Sequence, residues 1–211
     1  MLARLLRFDA NTLLRVATRG YLIVFFAYMF LPLVFMVIAA FNTPGIPQAV
    51  PFEGFTLAWF GELFDNEPLW AAVLNSVIIG IGVICLAIFL GLAGALLLTR
   101  LQTRARTFIY GVLVSPLLTP GIILGISTLV FWNNMGVGGG LFLATLAQGT
   151  FISAYCMLLF MARLQRFDHD LEEAALDLCA SHQQVFWNST VSFLKPTILT
   201  CAVISFLQSF E

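Results

Sequence analysis

Four stretches of this chain, 20–41, 71–98, 108–131 and 141–162, run for 22 to 28 residues without one charged side chain. A helix rises about 1.5 Å per residue, so each stretch is long enough to cross a hydrocarbon core of roughly 30 Å. Inside lipid every backbone N–H and C=O needs a partner within the segment, and for runs of this length that structure is a helix. The chain is therefore expected to be an all-α membrane protein, a polytopic helical bundle. A fifth apolar stretch, 197–210, precedes Glu211, and its reach of roughly 21 Å is shorter than the core.

Composition agrees with this. Of 211 residues 60% are hydrophobic and 10% charged, against about 25% charged in soluble domains. That excludes a typical cytosolic enzyme and a disordered chain. A net charge of −1 with a single Lys excludes a nucleic-acid footprint. Cys85, Cys156 and Cys201 lie in apolar runs and Cys179 in a polar one, with no CxxC pair, so they are expected to fill space rather than bind metal.

Charge placement gives the orientation. Arg4, Arg7, Arg15 and Arg19 precede the first span, Arg100, Arg104 and Arg106 follow the second, and Arg163, Arg166 and Lys195 follow the fourth. The connections 42–70 and 132–140 carry no basic residue. The positive-inside rule then puts the N-terminus and the 163–196 segment in the cytoplasm, and the connection with Glu53, Glu62, Asp65 and Glu67 outside. Residues 1–19 form a basic N-terminal segment, with Leu2, Leu5, Leu6, Leu13 and Leu14 set among its arginines. It is either an amphipathic surface helix or a solvated tail that sets topology. Outside, the apolar residues from Phe55 to Phe64 predict a short interfacial helix, after a stretch that Pro44, Pro47 and Pro51 make extended or turn-rich.

The four complete spans hold no Asp, Glu, Lys, Arg or His. This argues against an ion-coupled carrier and against intramembrane acid–base or metal catalysis. Polar interest lies in the third span, with Ser115, Pro116, Thr119, Pro120 and Gly121, and at Asn75 in the second. Two prolines four residues apart bend a helix and free carbonyls. That predicts a pore-lining or gating helix, or alternatively a packing kink. Gly121 and Gly125 make a small-xxx-small face suited to close helix contact. Thr145, Gln148, Thr150 and Ser153 are expected to bond between helices.

The 168–196 segment is long for a connection between spans. Asp170 and Glu173 fit a capping box, and Leu171, Ala174, Ala175 and Leu178 recur on one face, with Glu172, Glu173 and Asp177 opposite. Like charges at Glu173 and Asp177 disfavour an isolated helix and suit a basic partner. Ser181 and Gln184 repeat the capping box and start a second helix, which Pro196 is expected to end. Such a projection fits a groove on another protein or lies on its own bundle. His169 and Glu173 are four residues apart, but two ligands do not make a metal site.

The run Glu173-Ala174-Ala175-Leu176-Asp177-Leu178-Cys179-Ala180-Ser181, followed by Phe186 and Lys195-Pro196, resembles the EAA loop of ABC-transporter permease subunits. Asn75-Ser76, Pro116, Pro120-Gly121 and the terminal run from Ser205 to Glu211 resemble permeases of polyamine-type importers. The resemblance implies a type I ABC-importer permease domain over 20–211, with the 163–196 loop docking on an ATPase through Glu172, Glu173, Ala174, Ala175, Asp177, Cys179, Ala180 and Ser181. It implies two ATPase copies, a second permease (the same chain or a sister), an extracytoplasmic solute-binding protein and a bacterial inner-membrane location. The substrate implied is a polyamine or another small solute. Two positions depart from the family pattern, Cys179 for Gly and Ser192 for Pro. A Cys in place of the Gly means strain or a different bend. Such permeases have six spans, so the resemblance implies truncation before the sixth. The alternative is an inactive truncated permease or a non-transporting scaffold. No P-loop is present, because the only Lys, Lys195, is followed by Pro196. The chain is thus expected to be no enzyme and to carry no cofactor.

Overall fold

The computed structural model describes residues 10–43, 45–46, 48–168 and 170–210. The leading residues Leu2, Arg4, Leu5, Leu6 and Arg7, together with Pro44, Pro47, His169 and Glu211, lie outside the described residues. Two compact units divide the chain, Met1–Leu69 and Trp70–Glu211.

In the first unit α1 spans Ala10–Ala40 and α2 spans Ala58–Phe64. Arg15 and Arg19 therefore belong to the same helix as the apolar run that follows them. The connection between α1 and α2 is organised by Asn42, which is fully buried. Its Nδ2 donates to the carbonyls of Gln48 and Pro51 at 2.9 and 2.8 Å, and its Oδ1 accepts the N–H groups of Thr43 and Glu53 at 3.0 and 2.8 Å. The Asn42 carbonyl accepts Trp59 Nε1–H from α2 at 2.8 Å. Phe41 stacks on Phe55 with ring centroids 5.3 Å apart. An Asn amide offers two donors and an acceptor to a loop whose prolines cannot form a ladder. The interfacial helix thus begins at Ala58, because Phe55 is held in an antiparallel bridge with Asn42. Asn42→Ala removes the hub and strands several backbone groups, at about 1–3 kcal/mol each. Protease cleavage within 43–57 is expected to accelerate on the order of tenfold or more, measured on membrane vesicles with this face outward.

The second unit contains α3 (Glu67–Arg100) from Trp70 onward, α4 (Ala105–Leu118), α5 (Gly121–Asn134), α6 (Leu141–Leu164), α7 (Asp170–Asp177), α8 (His182–Val185), a π-helical stretch Phe186–Val191 and α9 (Ser192–Phe210). The core joins Val83, Ala87, Ala95 and Leu98 of α3 to Ile152, Cys156, Met157 and Phe160 of α6 and to Leu194 and Cys201 of α9. In lipid the hydrophobic effect does not drive such helices together, so close packing has to do so. Glycine provides it. A Cβ at Gly91 would lie 2.8 Å from Cys156 Cβ, 3.0 Å from Met157 N and 3.1 Å from Ser153 O. Gly82 and Gly94 of α3 approach the side chains of Thr145 and Met157, and Gly149 of α6 approaches that of Leu86. Outward residues such as Phe89, Phe108, Leu118 and Ile122 are exposed apolar groups suited to lipid.

The third apolar stretch is not one straight helix. It breaks between α4 and α5 with a bend of 105°. Thr119 and Pro120 are extended, at ψ 129° and 131°. The residue before a proline is pushed out of the helical region, so the break falls one residue ahead of Pro120. Pro116 is carried within α4. Pro196, in contrast, ends nothing: α9 runs through it, and residues His182–Phe210 form one long helical segment. The proline stands early in α9, just after the π-helical stretch, where backbone groups are already out of α-helical register.

Candidate functional site

The 168–196 segment builds a rigid projection from local signals. The first helix begins at Asp170 itself. Asp168 Oδ1 accepts the Asp170 N–H at 3.1 Å, so the carboxylate of Asp168, not that of Asp170, opens the helix. Asp170, Glu172 and Glu173 fill the first turn, where the helix dipole favours negative charge. At the other end Ala180 N–H donates to Ala175 O at 3.1 Å and Cys179 N–H to Leu176 O at 2.9 Å. This is a Schellman closure with Cys179 in the left-handed position, at φ 64°. The departure from Gly thus leaves the bend unchanged and stores strain in it. Cys179→Gly is expected to raise stability by about 0.5–1 kcal/mol, the relieved strain being larger than the added unfolded-state freedom. A thermal melt in detergent should rise by roughly 1–4 °C.

The second capping box forms as the sequence predicts. Gln184 N–H donates to Ser181 Oγ at 3.3 Å, and Ser181 N–H donates to Gln184 Oε1 at 2.9 Å. Val185 and Thr190 then turn inward and are buried.

Glu172 corrects the expected division of faces. It points inward, with its side chain 19% exposed. Its Oε1 accepts Thr190 Oγ1–H at 2.7 Å and lies 3.2 Å from Arg100 Nη2 at the end of α3. With Ala175 and Leu176 at helical spacing, Glu172 forms the inner face of α7. Leu171 and Leu178, which periodicity alone puts in a core, are 57% and 84% exposed. They share the outer surface with Glu173, Ala174, Asp177 and Cys179, while Ala180 is half-buried and Ser181 exposed. The reason is the partner set: Arg100 and Thr190 offer charge and a hydroxyl to a carboxylate, and nothing to a leucine. Arg100 lies 72 residues away in sequence, so no local pattern reveals this clamp.

The expected path residues do not converge. Pro116 lines a cavity of about 400 Å³ with Leu90, Gly94, Thr150 and Ser153. Gly121 lines another, of about 240 Å³, with Gly125, Gln148, Phe151 and Gln208. Ser115 and Thr119 spend their hydroxyls on the carbonyls of Val112 and Ser115 at 2.8 and 3.0 Å. Pro120 is exposed at the break, and Asn75 is exposed on α3, in neither cavity. Thr145, Thr150 and Ser153 likewise bond within α6, because a hydroxyl reaches the carbonyl one turn back more easily than a neighbouring helix. Gln148 does cross between helices, accepting Ser209 Oγ–H at 2.6 Å. Gly121 and Gly125 make no close helix contact, with open space where a Cβ would stand. They widen a cavity, and the close approach belongs to Gly91 and its neighbours. The amide of Gln208 was missed by sequence reasoning, since a single Gln near the end of an apolar run carries no periodic signal.

Residues 84–211 match the family described as binding-protein-dependent transport system inner membrane components. The chain belongs to that family. It is similar to the spermidine/putrescine transport system permease protein PotC of Haemophilus influenzae, 28% identical over 91% of this chain and 74% of the relative. PotC of Escherichia coli K12 is 26% identical over 93% of this chain and 74% of its own length. The putrescine permease PotI of the same strain is 28% identical over 88% and 68%. Its fold is similar to that of a chain in a bacterial ABC transporter involved in the import of the acidic polysaccharide alginate, at TM-score 0.70 and 13% identity, over 95% of this chain and 72% of that one. This permease is thus a multi-pass inner-membrane transport component and not an enzyme. An ATP-hydrolysing subunit and a solute-binding protein are the partners such a component implies.

Proposed function

We propose that this permease forms the translocation path of a polyamine importer, pairing with a second permease, the same chain or a sister. Its N-terminus and the 163–196 loop face the cytoplasm, and α7 seats on one of two ATPase copies, the second permease engaging the other. The observation that carries this reading is the outer face of α7. Leu171, Ala174 and Leu178 form an exposed stripe flanked by Glu173 and Asp177, on a helix clamped to the bundle through Glu172. A helix displayed in this way fits a groove with a basic rim. Its clamp to Arg100 and Thr190 gives motion of α7 a direct route into α3 and into the π-helical stretch that leads into α9. The spans of about 20–41, 71–98, 108–131, 141–162 and 197–211 are the membrane-embedded parts.

Spermidine or putrescine is the substrate class proposed. Amide and carbonyl oxygens accept from ammonium groups without a buried anion. Gln148 and Gln208 in the α5–α6–α9 cavity offer such oxygens, and Gly121 keeps the wall open. The test is reconstitution. The chain is co-expressed with the ATPase and solute-binding protein encoded beside it, and vesicles are assayed for ATP-dependent uptake of labelled spermidine and putrescine. Uptake of either is expected. An intact, ATP-hydrolysing complex that imports neither would refute the polyamine assignment.

A further inference from the structure

The last charge-free turn of α6 ends at Ala162 and is followed by Arg163, still in the helix, and by Arg166 in the turn just beyond it, whose N–H donates to Arg163 O at 3.0 Å. Across from them α9 presents Thr197 and Thr200, three apart. Together with Leu159 and Ala162 these side chains line a pocket of about 270 Å³. The guanidinium of Arg163 lies 4.1 Å above the Phe193 ring centroid, and Phe193 is in turn held edge-on to Phe167 at 5.2 Å. The arginine head is thereby fixed in place. Its Nε is buried, with no hydrogen-bond partner among the described residues. The ion pair found among those residues is Arg100–Glu172, so neither Arg163 nor Arg166 has a carboxylate there.

A buried donor left without an acceptor is costly. Two guanidinium groups with no anion beside them form a site complementary to phosphate, whose oxygens match the arginine fork. The walls identify the source of that phosphate. Leu159 and Ala162 lie on the apolar side and the arginines on the polar side, so the pocket straddles the boundary at which a lipid head group sits. A free phosphate ion has no use for the apolar wall, whereas an acyl chain does. Basic pockets between membrane helices on the cytoplasmic side are suited to anionic head groups.

We propose that this pocket holds the phosphodiester of one anionic phospholipid, with Arg163 and Arg166 as its donors and the Leu159–Ala162 wall against its acyl chain. The site stands apart from the α7 face and from the α5–α6–α9 cavity, and it does not depend on which solute is carried.

The full chain is purified in a mild non-ionic detergent, stripped of lipid, and titrated with phosphatidylglycerol or phosphatidylcholine while bound lipid is read by native mass spectrometry. One tightly held phosphatidylglycerol per chain is expected, with phosphatidylcholine held far more weakly. Arg163→Gln combined with Arg166→Gln should weaken phosphatidylglycerol binding by about thirtyfold, the effect of two basic residues at a membrane surface. Leu159→Trp, which keeps both arginines and fills the pocket, should weaken it as well. Equal retention of the two lipids by the unaltered chain would overturn the proposal, and so would unchanged phosphatidylglycerol binding in a folded double variant. Displacement of phosphatidylglycerol by millimolar inorganic phosphate would assign the site to the free ion and overturn the lipid.

Discussion

Gly91→Val is expected to take apart the α3–α6 contact. Even the first added carbon would stand 3.0 Å from the backbone nitrogen of Met157 and 3.1 Å from the carbonyl oxygen of Ser153. Backbone cannot swing aside as a side-chain tip does, so α3 would have to move away along its length. Val83, Ala87 and Ala95 would then leave Ile152, Cys156 and Phe160, with which they share a core. Overpacking of this kind costs about 3 kcal/mol or more. For a chain of this size that lowers Tm by roughly 6–12 °C, read as loss of monodisperse protein on heating in detergent. Gly125→Ala is the matched control, since nothing lies within 4 Å of the Cβ it would add. Its stability should stay the same or rise by up to about 1 kcal/mol, the gain of Ala over Gly within a helix. A Gly91→Val chain as stable as that control would mean that α3 and α6 do not approach as described.

Reversing charge on the outer face of α7 should be as damaging to assembly as Gly91→Val is to folding. Glu173 and Asp177 are both exposed and one turn apart, so Glu173→Lys with Asp177→Lys turns a negative edge positive without touching the bundle. Like charges placed across an interface cost several kcal/mol. ATPase recovered with the affinity-purified permease is expected to fall by roughly thirtyfold or more, about 2 kcal/mol. The melting temperature of the permease alone should stay within about 2 °C. Glu62→Lys in α2, an exposed charge outside the 163–196 segment, should leave recovery unchanged. Full recovery of ATPase with the double variant would remove α7 as the docking element.

The helices were legible because their causes are local. Charge-free runs longer than the bilayer is thick have one stable form, and Pro120 breaks its run by a clash with its immediate neighbour. Ser181 and Gln184 find each other across a single turn. The left-handed turn was legible only as a position. The family pattern calls for Gly there, and that Cys179 takes the same φ follows from the two hydrogen bonds that close α7 around it. The faces of α7 were misjudged for a related reason. Periodicity says which residues share a side, but not which side turns inward. Glu172 turns inward because Arg100 and Thr190 lie there, brought from elements far apart in sequence.

The same division holds for small and polar residues within the membrane. Gly121 and Gly125 carry the spacing of a contact motif, yet they border a cavity, while Gly91, in the similar small-residue run Ala87, Gly91 and Ala95, brings α3 against the backbone of α6. Hydrophobic burial distinguishes inside from outside in water. In lipid both sides of a helix are equally apolar, so sequence patterning carries little information about which face is buried. The sequence alone determined that the chain is helical, spans a membrane, gathers its basic residues in three places and carries a run that resembles the EAA loop of importer permeases. The tertiary structure alone decided which glycines join the helices, which acid anchors α7, and where two arginines are left beside an open pocket, because each of these depends on distances between segments that no local rule fixes.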